Sequence, residues 1–149
     1  MTFQAKTKIK GNNKKFLKNM VESASPMQLI VLLYDGAIQW LQMARKEIEK
    51  NSEKKPPNWT EFSHDIDMTL KIFTHLQETL NHDHSEELAE QLFSLYEFTK
   101  NLVIKINAYK REQDIDDAIE IIRNLKKSWQ DAMLQRSKQN AVSQSDVVS

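Results

Sequence analysis

The stretch Ser23-Ala-Ser-Pro-Met-Gln-Leu-Ile-Val-Leu-Leu-Tyr-Asp-Gly36 decides how the rest of the chain is read. Ser25 is placed to act as N-cap, Pro26 follows where a missing N–H costs nothing, and Gln28 lies where its side chain can return to the Ser25 N–H. A helix therefore starts at Pro26. Beyond it Ile30, Leu33, Ala37, Leu41, Ala44 and Ile48 recur at three- and four-residue spacing and draw one core stripe. Val31, Leu32, Tyr34 and Ile38 lie outside that stripe, Val31 and Ile38 together on one flank with Tyr34 between them and the core. Gly36 in mid-helix costs about 1 kcal/mol relative to Ala and calls for a reason, such as close approach of another backbone. The helix has more apolar surface than one face uses, which predicts a second packing partner.

Composition narrows the options. The 149 residues suit one domain, and only two glycines and three prolines favour long helices. The absence of cysteine removes disulfides, thiolate catalysis and thiolate metal sites, and fits a reducing compartment. The longest apolar run, Leu29 to Tyr34, is far too short to span a membrane, so a cytosolic protein without membrane insertion is expected. Net charge is zero, yet residues 1–18 carry six lysines and no acid, leaving 15 basic and 21 acidic residues for the remainder. A solvated tail is the plain reading of that basic end. A contact with nucleic acid or anionic lipid is the alternative, and it predicts binding that weakens steeply with salt.

Along the chain, residues 1–15 read as a basic flexible extension, and Phe16, Leu17, Met20 and Val21 form a short amphipathic segment fit to dock on a groove. The first long helix runs from Pro26 to about Lys50, and Pro56-Pro57 closes a linker. Asn58 followed by Glu61 caps a second helix with Phe62, Ile66, Thr69, Phe73, Leu76 and Leu80 inward, ending near Asn81. Asp83 or Ser85 caps a third, whose stripe is Leu88, Leu92, Leu95, Thr99, Leu102, Ile106 and Tyr109. Tyr96 and Val103 sit on one flank of it, and Phe93 and Ile104 lie further still from the stripe. A fourth helix begins at Asp114 to Asp117 and turns Ala118, Ile122, Leu125, Trp129 and Met133 inward, and residues 137–149 read as a flexible polar tail. The expected architecture is all-α, an antiparallel up-down four-helix bundle over residues 16–136 with a short N-terminal amphipathic segment.

Catalysis finds little support. Glu61-Phe62-Ser63-His64 has the Glu-x-x-His spacing of helical metal sites, but His64 falls nearly opposite the apolar stripe, and His82 and His84 lack a third ligand. No glycine-rich loop cradles a phosphate and no elbow-type serine offers a nucleophile. Acidic pairs at helix starts are explained by the helix dipole. The chain is not expected to be an enzyme or to need a cofactor or metal. What remains is the apolar flanks: Val31, Tyr34 and Ile38 on the first helix, and Phe93, Tyr96, Val103 and Ile104 on the third. They are either ordinary bundle burial or the lining of a groove for an amphipathic helix.

The residues that carry a resemblance are Phe16, Asn19, Val21, Ser23, Ala24, Ser25, Pro26 and Leu29, continued by Leu33-Tyr34-Asp35-Gly36. This pattern resembles the flagellar export chaperone family FliS, whose members begin Tyr-x-x-Asn-x-Val-x-Thr-Ala-Ser-Pro-x-x-Leu and run into Leu-Tyr-Asp-Gly. Phe16 stands for the usual Tyr and Ser23 for the usual Thr. Leu95-Tyr96, Asn107 and Trp129 also look like family features, and residues 1–15 have no counterpart in the pattern. The resemblance implies a cytoplasmic chaperone that binds the C-terminal region of flagellin, prevents early polymerisation and aids delivery to the type III export gate, where a co-chaperone is a further possible partner. It also implies that the N-terminal segment, here Phe16, Leu17 and Val21, covers apolar surface that flagellin uses. The alternative is a structural or regulatory bundle that self-associates through the same flanks.

Overall fold

The start signal at Ser25 is realised in full. In the computed structural model, which describes residues 25–50, 54–81 and 86–148, Ser25 is extended (φ −66°, ψ 161°), its hydroxyl accepts from the Gln28 N–H and the Gln28 side chain accepts from the Ser25 N–H. Helix α1 then runs Pro26–Glu49. Asn58 caps α2, Trp59–Glu78, through the Glu61 N–H at 3.1 Å, and a 3-10 turn, Thr79–Asn81, ends it. Helix α3 spans Glu86–Tyr109 and α4 spans Glu112–Val148.

Short connections force neighbours to run antiparallel. Helices α1 and α3 each pack against both α2 and α4, and the α3–α4 seam is the thinnest of the four. The result is the expected up-down bundle. Its interior is built from Ala37, Leu41 and Ala44 of α1, Phe62, Ile66, Phe73 and Leu76 of α2, and Ile115, Ala118, Ile122, Leu125 and Trp129 of α4. Thr69 and Thr99 are also buried, and each satisfies its hydroxyl on the carbonyl four residues back, at 2.9 and 2.8 Å.

Three features depart from expectation. Helix α4 starts at Glu112 and remains helical through Val148, where a flexible tail was expected from residue 137. With no glycine after Gly36 and no proline after Pro57, nothing in the sequence terminates it. The connection from α3 to α4 is only Lys110-Arg111, and Lys110 takes a left-handed conformation (φ 53°) that closes α3 through its N–H to the Ile106 carbonyl. Its ammonium lies 5.2 Å from the centre of the Trp59 ring, which offsets part of the backbone cost. At Gly36 the close backbone approach expected is not found: a Cβ there would meet Ile72 Cδ1 on α2 at 3.4 Å, an ordinary van der Waals distance.

Helices α1 and α4 are also joined by charge. Arg45 pairs with Asp116 at 2.7 Å and with Glu49, and Lys126 pairs with Asp35 at 2.7 Å. The hydrogen bond from Arg45 holds the Asp116 carboxyl below the usual carboxylate range. Glu47, nearly fully buried, accepts from the Asn58 N–H at 3.2 Å and from Lys50, tying the α1–α2 connection back onto α1.

Candidate functional site

At the centre of the bundle the hydroxyls of Tyr34 and Tyr96 meet at 2.6 Å, and the indole N–H of Trp129 donates to Tyr34. Both tyrosines are essentially inaccessible, and Phe73 packs its ring edge against Tyr96 with centroids 5.8 Å apart. Three helices are thereby pinned through polar atoms inside an apolar core. Burial pushes both hydroxyl pKa values upward, and for Tyr34 the neighbouring Tyr96 adds to it.

This arrangement sorts the flank residues into interior and surface. Tyr34, Tyr96 and Val103 are interior residues, and a partner reaches them only by opening the bundle. The physical reason is the rotation of α3. Tyr96, Thr99, Val103 and Ile106 form its buried face, turned by roughly 45° from the leucine-rich stripe that spacing suggests. Two tyrosines that satisfy each other's hydroxyls can enter a core that neither enters alone. Val31 and Ile38 are half-buried against the core edge. Phe93 and Ile104 are on the surface, 49% and 53% exposed. Phe16, Leu17 and Val21 lie outside the described residues.

The rotation has a second effect, which is to leave apolar side chains on the outside of α3. Of the nine large hydrophobic residues exposed among the described residues, six are on this helix: Leu88, Phe93, Leu95, Phe98, Ile104 and Tyr109. They fall on two flanks. Phe93 and Ile104 lie beside the α2 seam, where Gln77 donates to Glu97 at 2.8 Å and accepts from Lys100 at 3.1 Å. Leu88, Leu95, half-buried Leu102 and Tyr109 recur every seven residues on the other flank, with Phe98 beside them. Exposed apolar flanks of this kind have the character of a protein-binding surface rather than of a catalytic cleft. The sequence reading named Phe93 and Ile104 but missed Leu88, Leu95, Phe98 and Tyr109. Their signal was the seven-residue spacing itself, taken as the core stripe.

His64 is exposed and edge-on to the Trp40 ring, with centroids 5.6 Å apart. The acids near it, Glu61 and Asp67, are on the same helix and partly or fully solvated. An open depression along α2 is lined by Asp67, Leu70, Lys71, Thr74, His75 and Glu78. It lacks the enclosure that acid–base chemistry needs.

Known proteins resemble the chain over most of its length. The profile of the family described as Flagellar protein FliS matches residues 9–136, so the match begins seven residues before Phe16, inside the segment expected to lack a counterpart. The chain is 27% identical over 111 residues to the flagellar secretion chaperone FliS of Vibrio cholerae, covering 74% of this chain and 77% of that one. It is 22% identical over 122 residues to the Escherichia coli protein of the same name, covering 81% and 85%. The Campylobacter jejuni FliS is 24% identical over 116 residues, covering 78% and 86%. Among solved structures, one described as a flagellar chaperone from bacteria superposes with a TM-score of 0.65 at 16% identity, over 83% of this chain and 98% of that chain, which shows the shared fold. A sequence profile that spans most of the chain, relatives that agree with it and a bundle whose outer helix is apolar lead to one assignment: the chain belongs to the FliS family of flagellar secretion chaperones, a family of chaperones and not of enzymes.

Proposed function

We propose that this protein is a cytosolic export chaperone whose client is flagellin, held through its C-terminal region until delivery to the flagellar type III export apparatus. The observation that carries the reading is the outer surface of α3, where six large apolar residues stand exposed on a helix that is otherwise well packed. Among the described residues no helix is long and apolar enough to cross a membrane.

The mechanism is one of substitution. A client segment that is disordered before binding must be ordered, at a cost of about 2–5 kcal/mol or more, so the contact has to bury a large apolar area. Two apolar flanks on one helix supply it, with Phe93 and Ile104 on one side and Leu88, Leu95 and Phe98 on the other. Apolar segments sequestered here are unable to pack against other flagellin molecules, which blocks premature polymerisation without nucleotide hydrolysis. In the free protein Phe16, Leu17 and Val21 cover part of this surface and the client displaces them. The loaded complex then meets the export gate or a co-chaperone through surface that the client leaves free.

Titration of the full chain with a peptide of the host flagellin's C-terminal region tests the reading by calorimetry. A one-to-one complex supports it, and no binding overturns it. Removing residues 1–22 is expected to strengthen the affinity or leave it unchanged. A large loss would instead make the N-terminal segment part of the client site.

A further inference from the structure

We infer that Gly36 is a client-contact residue: the groove between α1 and α2 seats one helix of the flagellin segment, with an apolar side chain of that helix resting on the Gly36 backbone and an acidic one meeting Lys71. The inference rests on flagellin being the client, and it adds a contact on the side of α2 away from α3.

The fold itself does not require this glycine. Its φ is not positive, so any residue could adopt its backbone conformation. Outside the backbone of its own helix, an added Cβ would meet only Ile72 Cδ1, at 3.4 Å, and the rest of the space over it is open. Alanine would fit there and favours a helix more than glycine does, so packing within the chain leaves the glycine unexplained. What surrounds the open space is apolar. At about 100° per residue, Leu33, Gly36, Trp40 and Met43 share the flank of α1 turned to α2, and Met68 and Ile72 share the flank of α2 turned to α1. Two contacts fix the register: Ile72 faces Gly36, and the Trp40 ring meets His64 edge-on. All six residues are half-buried. Leu33 and Ile72 pack on the core, whereas Trp40, Met43 and Met68 stay outside it. Tryptophan is a residue that anchors interfaces, and flexible thioethers adapt to the shape of an inserted side chain, so a helix in the groove uses both.

Charge and continuity favour the client as the occupant. His64, Lys71 and His75 fall on one line along the outer edge of the groove, and Lys71, next to Ile72, stands level with Gly36. Lys71 is exposed and is in no ion pair among the described residues. Asp67, one turn before it, is turned toward α3, so an acid on the inserted helix complements Lys71. The open depression along α2 then leads from Lys71 and His75 to Leu70 and Thr74. Leu70 lies between the Ser63–Asn107 and Gln77–Glu97 bonds, on the stretch of α2 that faces Ile104. The groove at Gly36 is therefore continuous with the Phe93 and Ile104 flank, and one client segment can engage both.

Calorimetric titration of the full chain with a peptide of the host flagellin's C-terminal region, paired with urea unfolding, tests this. Gly36→Ala is expected to raise the urea midpoint and yet weaken peptide binding at least about fivefold. Lys71→Glu, at an exposed position, should leave the midpoint unchanged and weaken binding by about the same factor. A gain in stability with a loss of affinity in one variant marks a glycine that serves the partner and not the fold. Parent-like affinity in either variant overturns the inference, and so does a lower midpoint in Gly36→Ala, which would show that the fold needs the glycine. Ile104→Glu separates the two proposals. If it abolishes binding that the other two variants leave intact, the client reading stands and the Gly36 site fails; if the parent chain binds no peptide, the client reading fails and the Gly36 site with it.

Discussion

Helices α1 and α3 are the same length, 24 residues each, and both carry more apolar residues than one face needs, yet they resolve the excess in opposite ways. Helix α1 leaves no large apolar side chain exposed, whereas α3 leaves six. The difference lies in what faces the core. Helix α1 presents Tyr34, Ala37, Leu41, Ala44 and Glu47, and its two alanines with Gly36 beside them leave room for α2 and α4 to close over its flanks, covering Val31 and Ile38 by half. Helix α3 presents Tyr96, Thr99, Val103 and Ile106, with no alanine or glycine among them, and its seam with α4 is the thinnest in the bundle. An excess of apolar residues therefore stays exposed only where the neighbours fail to reach it.

That contrast can be broken at measurable cost. The largest effect is expected at the interior: Tyr34→Ala removes a fully buried ring together with its bonds to the Tyr96 hydroxyl and the Trp129 N–H, and should lose about 3–5 kcal/mol in urea unfolding. Tyr96→Phe keeps the shape and removes one hydroxyl, so a loss of about 1–3 kcal/mol is expected by the same measurement. Alkaline pH probes the same pair without mutation. Both hydroxyls ionise at higher pH in the folded chain than in the unfolded one, so their contribution is intact below about pH 10 and is lost as pH rises beyond it toward the folded values. The urea midpoint should fall from there upward, and replacing both tyrosines with Phe should flatten that part of the profile. The smallest effect on stability belongs to the outside of α3. Ile104→Glu should change unfolding by no more than about 0.5 kcal/mol while weakening client binding at least about tenfold. A collapse of the fold in that variant would erase the distinction between the two helices.

Much of this was legible in the sequence. The cap at Ser25, the Asn58 start, the complete inward stripe of α2 and the up-down order follow from spacing and local hydrogen bonding, which are short-range properties. The rotation of α3 was not legible, because it depends on Tyr34, Tyr96 and Trp129 finding one another across separations of 62 and 95 residues. Read alone, a tyrosine is a boundary residue and a leucine a core residue, and so Leu95 and Tyr96 were assigned to each other's places. The buried Glu47 escaped for the same reason, since its partner is the backbone N–H of Asn58 beyond a proline-containing linker. The left-handed Lys110 gave no glycine to mark it.

The link between Tyr34, Tyr96 and Trp129 also bears on how such a chain changes through descent. Tyr34 makes both bonds, so its loss removes the link from Tyr96 and Trp129 at once, whereas loss of Tyr96 or of Trp129 leaves the other bond in place; single replacements are therefore penalised most at Tyr34, even where a double or triple replacement would be harmless. The three positions behave as one heritable character distributed over three helices, while each exposed residue of α3 remains free to drift with its client.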